Sequence, residues 1–147
     1  MSLGPGSEKA SSSNHGFGMT DVAAPGGNSN SQYPVFPGPC GPQISSTIPF
    51  GSGYACIQGT SMASPHTTGV AALIVSQFGR LGSDAGTPHV VMRPQEVEAY
   101  LQERTIDIGL PGYDECFGNG RIDAVPEVTH DTSRLYQPNP PGPEYAE

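Results

Sequence analysis

The sequence predicts an α/β fold, and three observations carry that expectation. Residues 69–75, Gly-Val-Ala-Ala-Leu-Ile-Val, form an apolar run with no polar side, the pattern of a helix buried all round. Short β-favouring stretches around Val22, Ile44–Ile48 and Ile122 would supply a sheet for that helix to pack on. Residues 93–101 carry an apolar stripe of Val97, Tyr100 and Leu101 on one side only, as a surface helix does.

Taken in order, the first thirteen residues are polar and small, with no apolar core. They read as a disordered segment, 1–13, and not as a signal peptide. Asp21-Val22-Ala23-Ala24-Pro25-Gly26 reads as a short strand closed by a Pro-Gly turn. Residues 26–43, rich in Gly, Pro, Asn and Ser, form a long irregular loop before the stretch at Ile44–Ile48. Next comes Gly59-Thr60-Ser61-Met62-Ala63-Ser64-Pro65-His66. Gly59 allows a tight approach, Thr60 and Ser61 suit a helix start where a side-chain oxygen can accept from orphan amides, and Pro65 fits a first helical turn. The helix then runs to Phe78, and Gly79 is its natural stop. Ser61 therefore stands at a helix N-terminus, where backbone N–H groups and the helix dipole favour developing negative charge. That placement suits an acyl-transfer nucleophile. Pro94 opens the second helix, with acids in its first turn. Residues 129–147 are Pro-rich and read as a disordered tail, which leaves 14–128 as the folded part.

Composition narrows the partners. The 147 residues carry a net charge of −8, with no basic cluster, which argues against nucleic acids and anionic membranes. The longest apolar run is too short to cross a bilayer, so no membrane partner is expected. The three cysteines, Cys40, Cys56 and Cys116, leave one over from any pair. Cys40 and Cys56 could close a loop, adding about 3 kcal/mol in the chain-entropy picture, while three reduced thiols remain equally compatible with the sequence. No cysteine or histidine spacing matches a metal pattern, so neither a metal nor a cofactor is expected.

The string at 59–66, followed by the apolar helix, resembles the nucleophile segment of the subtilisin-like serine proteases (subtilases, peptidase S8 family). Asp21–Gly26 resembles the strand end and turn that the family places before its serine, and Gly118-Asn119-Gly120-Arg121-Ile122-Asp123-Ala124 resembles the segment closing its domain. The three marks stand in the family's order. The likeness covers residues 11–128, or roughly the last third of the family's catalytic domain. It implies the C-terminal portion of a parallel-sheet three-layer sandwich, incomplete, and a secreted serine endopeptidase acting on polypeptides through an acyl-enzyme with Ser61 as nucleophile.

Nothing in the sequence matches the family's Asp-Thr/Ser-Gly motif, its His-Gly-Thr-His motif or its oxyanion asparagine, all of which precede the serine in the family's order. The expectation is a chain that is inactive alone and needs an upstream segment carrying the catalytic Asp and His. His15 reads as a solvated loop residue, His66 as structural packing within the motif, and His89 and His130 as residues of polar or Pro-rich loops. A non-catalytic protease remnant, or a secreted interaction module using the Gly/Pro loops, are the alternatives. A rival reading takes Gly59–Ala63 as the nucleophile elbow of an α/β-hydrolase, completed by Asp107 or Asp123 and His130. It needs a buried strand before Gly59, and residues 51–58 are too short and glycine-rich to form one.

Overall fold

The protein is described by a computed structural model, which covers residues 1–33, 38–49, 51, 53–84 and 87–129, with backbone only at 83, 84, 87 and 88. His130 and the tail beyond Thr129 lie outside the described residues, as do residues 34–37 of the loop at 26–43. The elements are β1 (Ser2–Leu3), β2 (Ala24–Pro25), β3 (Ile44–Thr47), β4 (Tyr54–Ile57), α1 (Thr60–Phe78), β5 (Arg80–Asp84), β6 (Thr87–Val91), α2 (Pro94–Glu103) and α3 (Ala124–Thr129).

A narrow strip of sheet organises the molecule. β1 pairs with β2 in parallel, Ser2 opposite Ala24 and Leu3 opposite Pro25. Ala23 bridges in parallel to Arg121, and Arg121 bridges antiparallel to Ile106. Successive residues of a strand face opposite sides, so the strip separates two cores. Ala23 joins Leu3, Ile106, Ile108, Cys116 and Phe117 on one side. Its neighbour Ala24 joins Ala63, Val70, Ile74 and Ile122 on the other, where α1 lies. The described residues thus form a small α/β unit whose parallel pairing is limited to β1–β2 and the Ala23–Arg121 bridge. β3–β4 and β5–β6 are separate antiparallel hairpins.

The first thirteen residues depart from the expectation of disorder. Leu3 and Ala10 are buried, Ala24 N donates to Met1 O (3.0 Å), Gly26 N donates to Leu3 O (3.0 Å), and Ser2 N donates to Ser13 Oγ (3.1 Å). The segment is fixed by backbone pairing and by polar side chains folded onto it, and neither requires an apolar run.

Helix α1 departs from the expectation of burial on all sides. Ala63, Val70 and Ile74 are buried, but Leu73 is 49% exposed and Gly69, Ala72 and Ser76 face out. The strip is only wide enough to cover one side of the helix. Pro65 lies in the second turn, because the helix begins at Thr60. There its missing N–H leaves the Ser61 carbonyl without its usual i+4 donor.

Helix α2 matches its expected start. Pro94 occupies the first turn, and the Glu96 carboxylate accepts from Arg93 N (2.9 Å). None of its stripe is fully buried, yet Tyr100 and Leu101 rest on the α1 core. The Tyr100 ring stacks on Phe78 at 4.7 Å, and the Arg104 guanidinium lies 4.7 Å over Tyr100. Hairpin β5–β6 and helix α3 were not anticipated from the sequence. Of the two sulfur arrangements left open there, the structure forms the Cys40–Cys56 disulfide (2.05 Å), and Cys116 is buried apart from it.

Candidate active site

Gly59 is the hinge of the site. It caps α1 with φ 139° and ψ 173°, a backbone region essentially restricted to glycine. Its carbonyl accepts from Met62 N (2.9 Å) and Ala63 N (3.3 Å), which starts the helix. The expected side-chain cap is absent, because the capping position is a glycine. Among the described residues the amides of Thr60 and Ser61 therefore donate to nothing, and Ser61 itself is exposed. An uncapped first turn beside an exposed hydroxyl offers a nucleophile and an anion-binding N–H within one residue.

The segment is held in place by the other glycine-ended motif. Gly59 N donates to Gly26 O (2.8 Å). A Cβ on Gly26 would lie 2.6 Å from Gly59 O and 2.1 Å from Ser2 Oγ, so the approach is possible only because Gly26 has no side chain. Gln58 Oε1 accepts from Ser29 N, and Asn28 N donates to Pro42 O (3.1 Å). The turn after β2 is thereby clasped between residues 42–43 and 58–59.

No histidine among the described residues hydrogen-bonds Ser61. His66, expected as packing, is exposed, with Nδ1 2.8 Å from Met62 O one turn back along its own helix. His15 is exposed, with Nδ1 3.7 Å from Cys116 Sγ. Cys116 belongs to the core on the face of the strip away from α1. His89, expected in a loop, sits in β6 opposite Gly82.

The carboxylates of the C-terminal third organise loops. Asp114 accepts from Cys116 N (2.8 Å), Phe117 N (2.7 Å) and Leu110 N (3.1 Å). Asp107 accepts from Gly112 N (2.9 Å) and Asp123 from Val125 N (3.0 Å). The α/β-hydrolase reading fails here. β4, which precedes Gly59, is one arm of an antiparallel hairpin with Tyr54 and Ile57 exposed, not a buried central strand.

One titratable group went unnoticed in the sequence. Glu127 is 0% exposed, and among the described residues neither of its carboxyl oxygens has a hydrogen-bond partner. Burial pushes its pKa up to about 8, with Arg104 opposing the shift, so it is largely protonated at neutral pH. Its apolar neighbours Val125, Pro126 and Val128 were the only hint of burial that the sequence offered.

A groove of about 470 Å³ runs between α1 and α2, lined by Val22, Thr67, Met92, Val97 and Leu101, and Ser61 is not part of its lining. Among the described residues no three His, Cys, Asp or Glu side chains converge as a metal set would. No helix among them is long and apolar enough to cross a membrane.

A glycine-held, uncapped helix start bearing Ser61 joins the 21–26 and 59–66 motifs in one place. The chain belongs to the Subtilase family, whose Peptidase_S8 model matches residues 2–120. The match begins well before residue 14, in keeping with the ordered β1. The extracellular basic protease of Dichelobacter nodosus is 35% identical over 140 residues, covering 93% of this chain and 20% of that protein. M-protease of Shouchella clausii (strain KSM-K16) is 44% identical over 66 residues, or 45% of this chain and 13% of that protein. The extracellular serine protease of Serratia marcescens is 35% identical over 71 residues, or 48% of this chain and 6% of that protein. The chain thus spans a fifth or less of the length of these relatives. Among solved structures, a lanthipeptide protease aligns with TM-score 0.56 and 24% identity over 75% of this chain and 34% of its own, which shows a shared fold.

Proposed function

We propose that this chain is the nucleophile-bearing part of a secreted serine endopeptidase, with Ser61 as the attacking residue. The observation that carries the reading is the exposed Ser61 in an uncapped first turn, set by a glycine-only conformation at Gly59. The names of the relatives, extracellular and serine proteases, support both the activity and the secretion. Ser61 Oγ attacks the carbonyl carbon of a peptide bond in a polypeptide substrate. A histidine brought by an upstream segment takes the hydroxyl proton and passes it to the leaving amine, and an aspartate of that segment orients the ring. The oxyanion of the tetrahedral intermediate lies against the Ser61 N–H and the positive end of α1. Water then releases the acyl group by the same route in reverse.

Among the described residues no histidine is bonded to Ser61, so the chain alone is expected to be inert, since loss of the histidine from such a triad costs on the order of 10⁶ in kcat. The test is peptide hydrolysis by the chain alone and after joining to an upstream segment carrying the aspartate and histidine. Hydrolysis that appears only in the joined protein, and vanishes in Ser61→Ala, is the expected result. Equal hydrolysis by the Ser61→Ala form would overturn the assignment. A second reading is a non-catalytic remnant, which inactivity of the joined protein would support.

A further inference from the structure

The Cys40–Cys56 disulfide stands five residues before Ser61, outside the chemistry proposed above. Cys56 lies in β4, which runs through Gln58 into Gly59. From Cys40 the chain turns, with Gln43 N on Cys40 O (3.1 Å), and lays Pro42 and Gln43 against the turn after β2. Two bonds fasten that layer, Asn28 N to Pro42 O (3.1 Å) and Gln43 Nε2 to Ser29 Oγ (3.1 Å), and on the other side Ser29 N donates to Gln58 Oε1. The same turn supplies Gly26 O to Gly59 N (2.8 Å). A Cβ on Gly27, at φ 81°, would lie 3.0 Å from Pro42 O and 3.1 Å from both Gln43 Cα and Gln58 Cβ, so even a methyl group is crowded there. The turn at 26–29 is therefore gripped from both sides, and the sulfur bridge joins the two sides of the grip. Both cysteines are only half-buried, within reach of a small reductant.

We propose that the Cys40–Cys56 disulfide is a reductant-sensitive clamp that positions Gly59 and, through it, Ser61. The role as a regulator of the nucleophile rests on the Ser61 assignment, whereas the mechanical role does not. A dithiol opens the clamp in two steps. Its thiolate attacks one sulfur, breaking the Sγ–Sγ bond and forming a mixed disulfide. Its second thiolate then closes a ring on itself, so the dithiol is oxidised by two electrons and Cys40 and Cys56 leave as thiols. The β3–β4 pairing, Ile44 opposite Ile57 through Thr47 opposite Tyr54, includes Cys56 opposite Ser45 but is made by the backbone, so it keeps the hairpin formed when the sulfur bridge opens. Reduction thus frees the grip without dissolving the fold.

Amide hydrogen exchange tests the clamp directly, on the chain with its disulfide intact, after treatment with dithiothreitol, and in a Cys40→Ser/Cys56→Ser variant. Exchange at Gly59 should rise on the order of tenfold in the reduced and variant forms while the amides of α2 stay unchanged. Unchanged exchange at Gly59, or an equal rise in α2, overturns the clamp. In the chain joined to an upstream segment carrying the aspartate and histidine, dithiothreitol should lower kcat for peptide hydrolysis with little change in KM, and reoxidation should restore it. The serine variant should be slow from the outset and indifferent to the reductant. Hydrolysis absent even with the disulfide intact sinks the Ser61 assignment and leaves the exchange result to decide the clamp; hydrolysis indifferent to reduction sinks the regulatory role.

Discussion

At the residue scale, two glycines do more to shape the site than the serine they serve. Gly59 adopts a conformation that an L side chain strains to reach, at a cost of about 1–3 kcal/mol. Gly59→Ala should accordingly lower the midpoint of urea unfolding and, in the joined protein, depress kcat more than KM. Gly26→Ala should be at least as damaging, because its Cβ would meet the Gly59 backbone carbonyl at 2.6 Å. Of these features, the glycine-capped helix start around Ser61 was legible, since its neighbours form a string with few other uses. The contact between Gly26 and Gly59 was not, because nothing in either motif announces that the two touch.

Glu127 gives the residue scale a pH signature. Its folded pKa of about 8 lies above the ordinary 4.5. Between those values the unfolded chain has released this proton and the folded chain has kept it, so the folded state holds more protons and stability falls as pH rises. Below about 4.5 the group is neutral in both states, and above about 8 it is charged in both, so the slope belongs to that window alone. Arg104 and Asp123 are the charged groups that act on it, and the facing helix α1 carries no acidic or basic residue other than His66. Glu127→Gln should raise the thermal midpoint at pH 8 and flatten its decline across the window. A variant as pH-sensitive as the parent would place the titration elsewhere. A buried carboxyl of this kind leaves little mark in sequence beyond its apolar neighbours, since its burial depends on α1 and Arg104, distant along the chain.

At the scale of elements, α1 and α2 were readable because each carries its own signal: an apolar run between glycines, and a proline-started stripe. What the α1 pattern concealed is which sides are covered. Ile74 is fully buried while its neighbour Leu73 is half open. Ile74→Ala should cost about 2–5 kcal/mol of stability by chemical denaturation, whereas Leu73→Ser in the same chain should cost well under 1 kcal/mol. Comparable losses at the two positions would mean that the outer side of α1 is covered as well. β1 and hairpin β5–β6 were unreadable for opposite reasons. β1 is two residues held by main-chain bonds, with too little side-chain pattern to see. β5–β6 contains glycine and proline, which weaken a strand reading, and it leaves Leu81 86% exposed.

At the scale of the whole molecule, the order of motifs along the chain was enough to give the family, because the two glycine-ended strings that carry it meet in space at the start of α1. The incomplete parallel sheet that was expected is present among the described residues as a strip, and the helix expected to be buried all round has one side open. A helix gains most of its stability from packing, so the chain alone should unfold over a broad, weakly cooperative transition. The chain joined to an upstream segment carrying the aspartate and histidine should unfold sharply at a higher temperature, as scanning calorimetry would register. A sharp transition of the chain alone, with a native-like near-UV circular dichroism spectrum, would contradict this.

The central claim is that Ser61 is built as a nucleophile but is not armed by this chain. Reaction with a fluorophosphonate, followed by mass-spectrometric location of the adduct, tests it most directly. Negligible modification of the chain alone is expected, with rapid, denaturation-sensitive modification at Ser61 once a segment carrying the aspartate and histidine is joined. Rapid modification of Ser61 in the chain by itself, or modification of another residue in the joined protein, would contradict it.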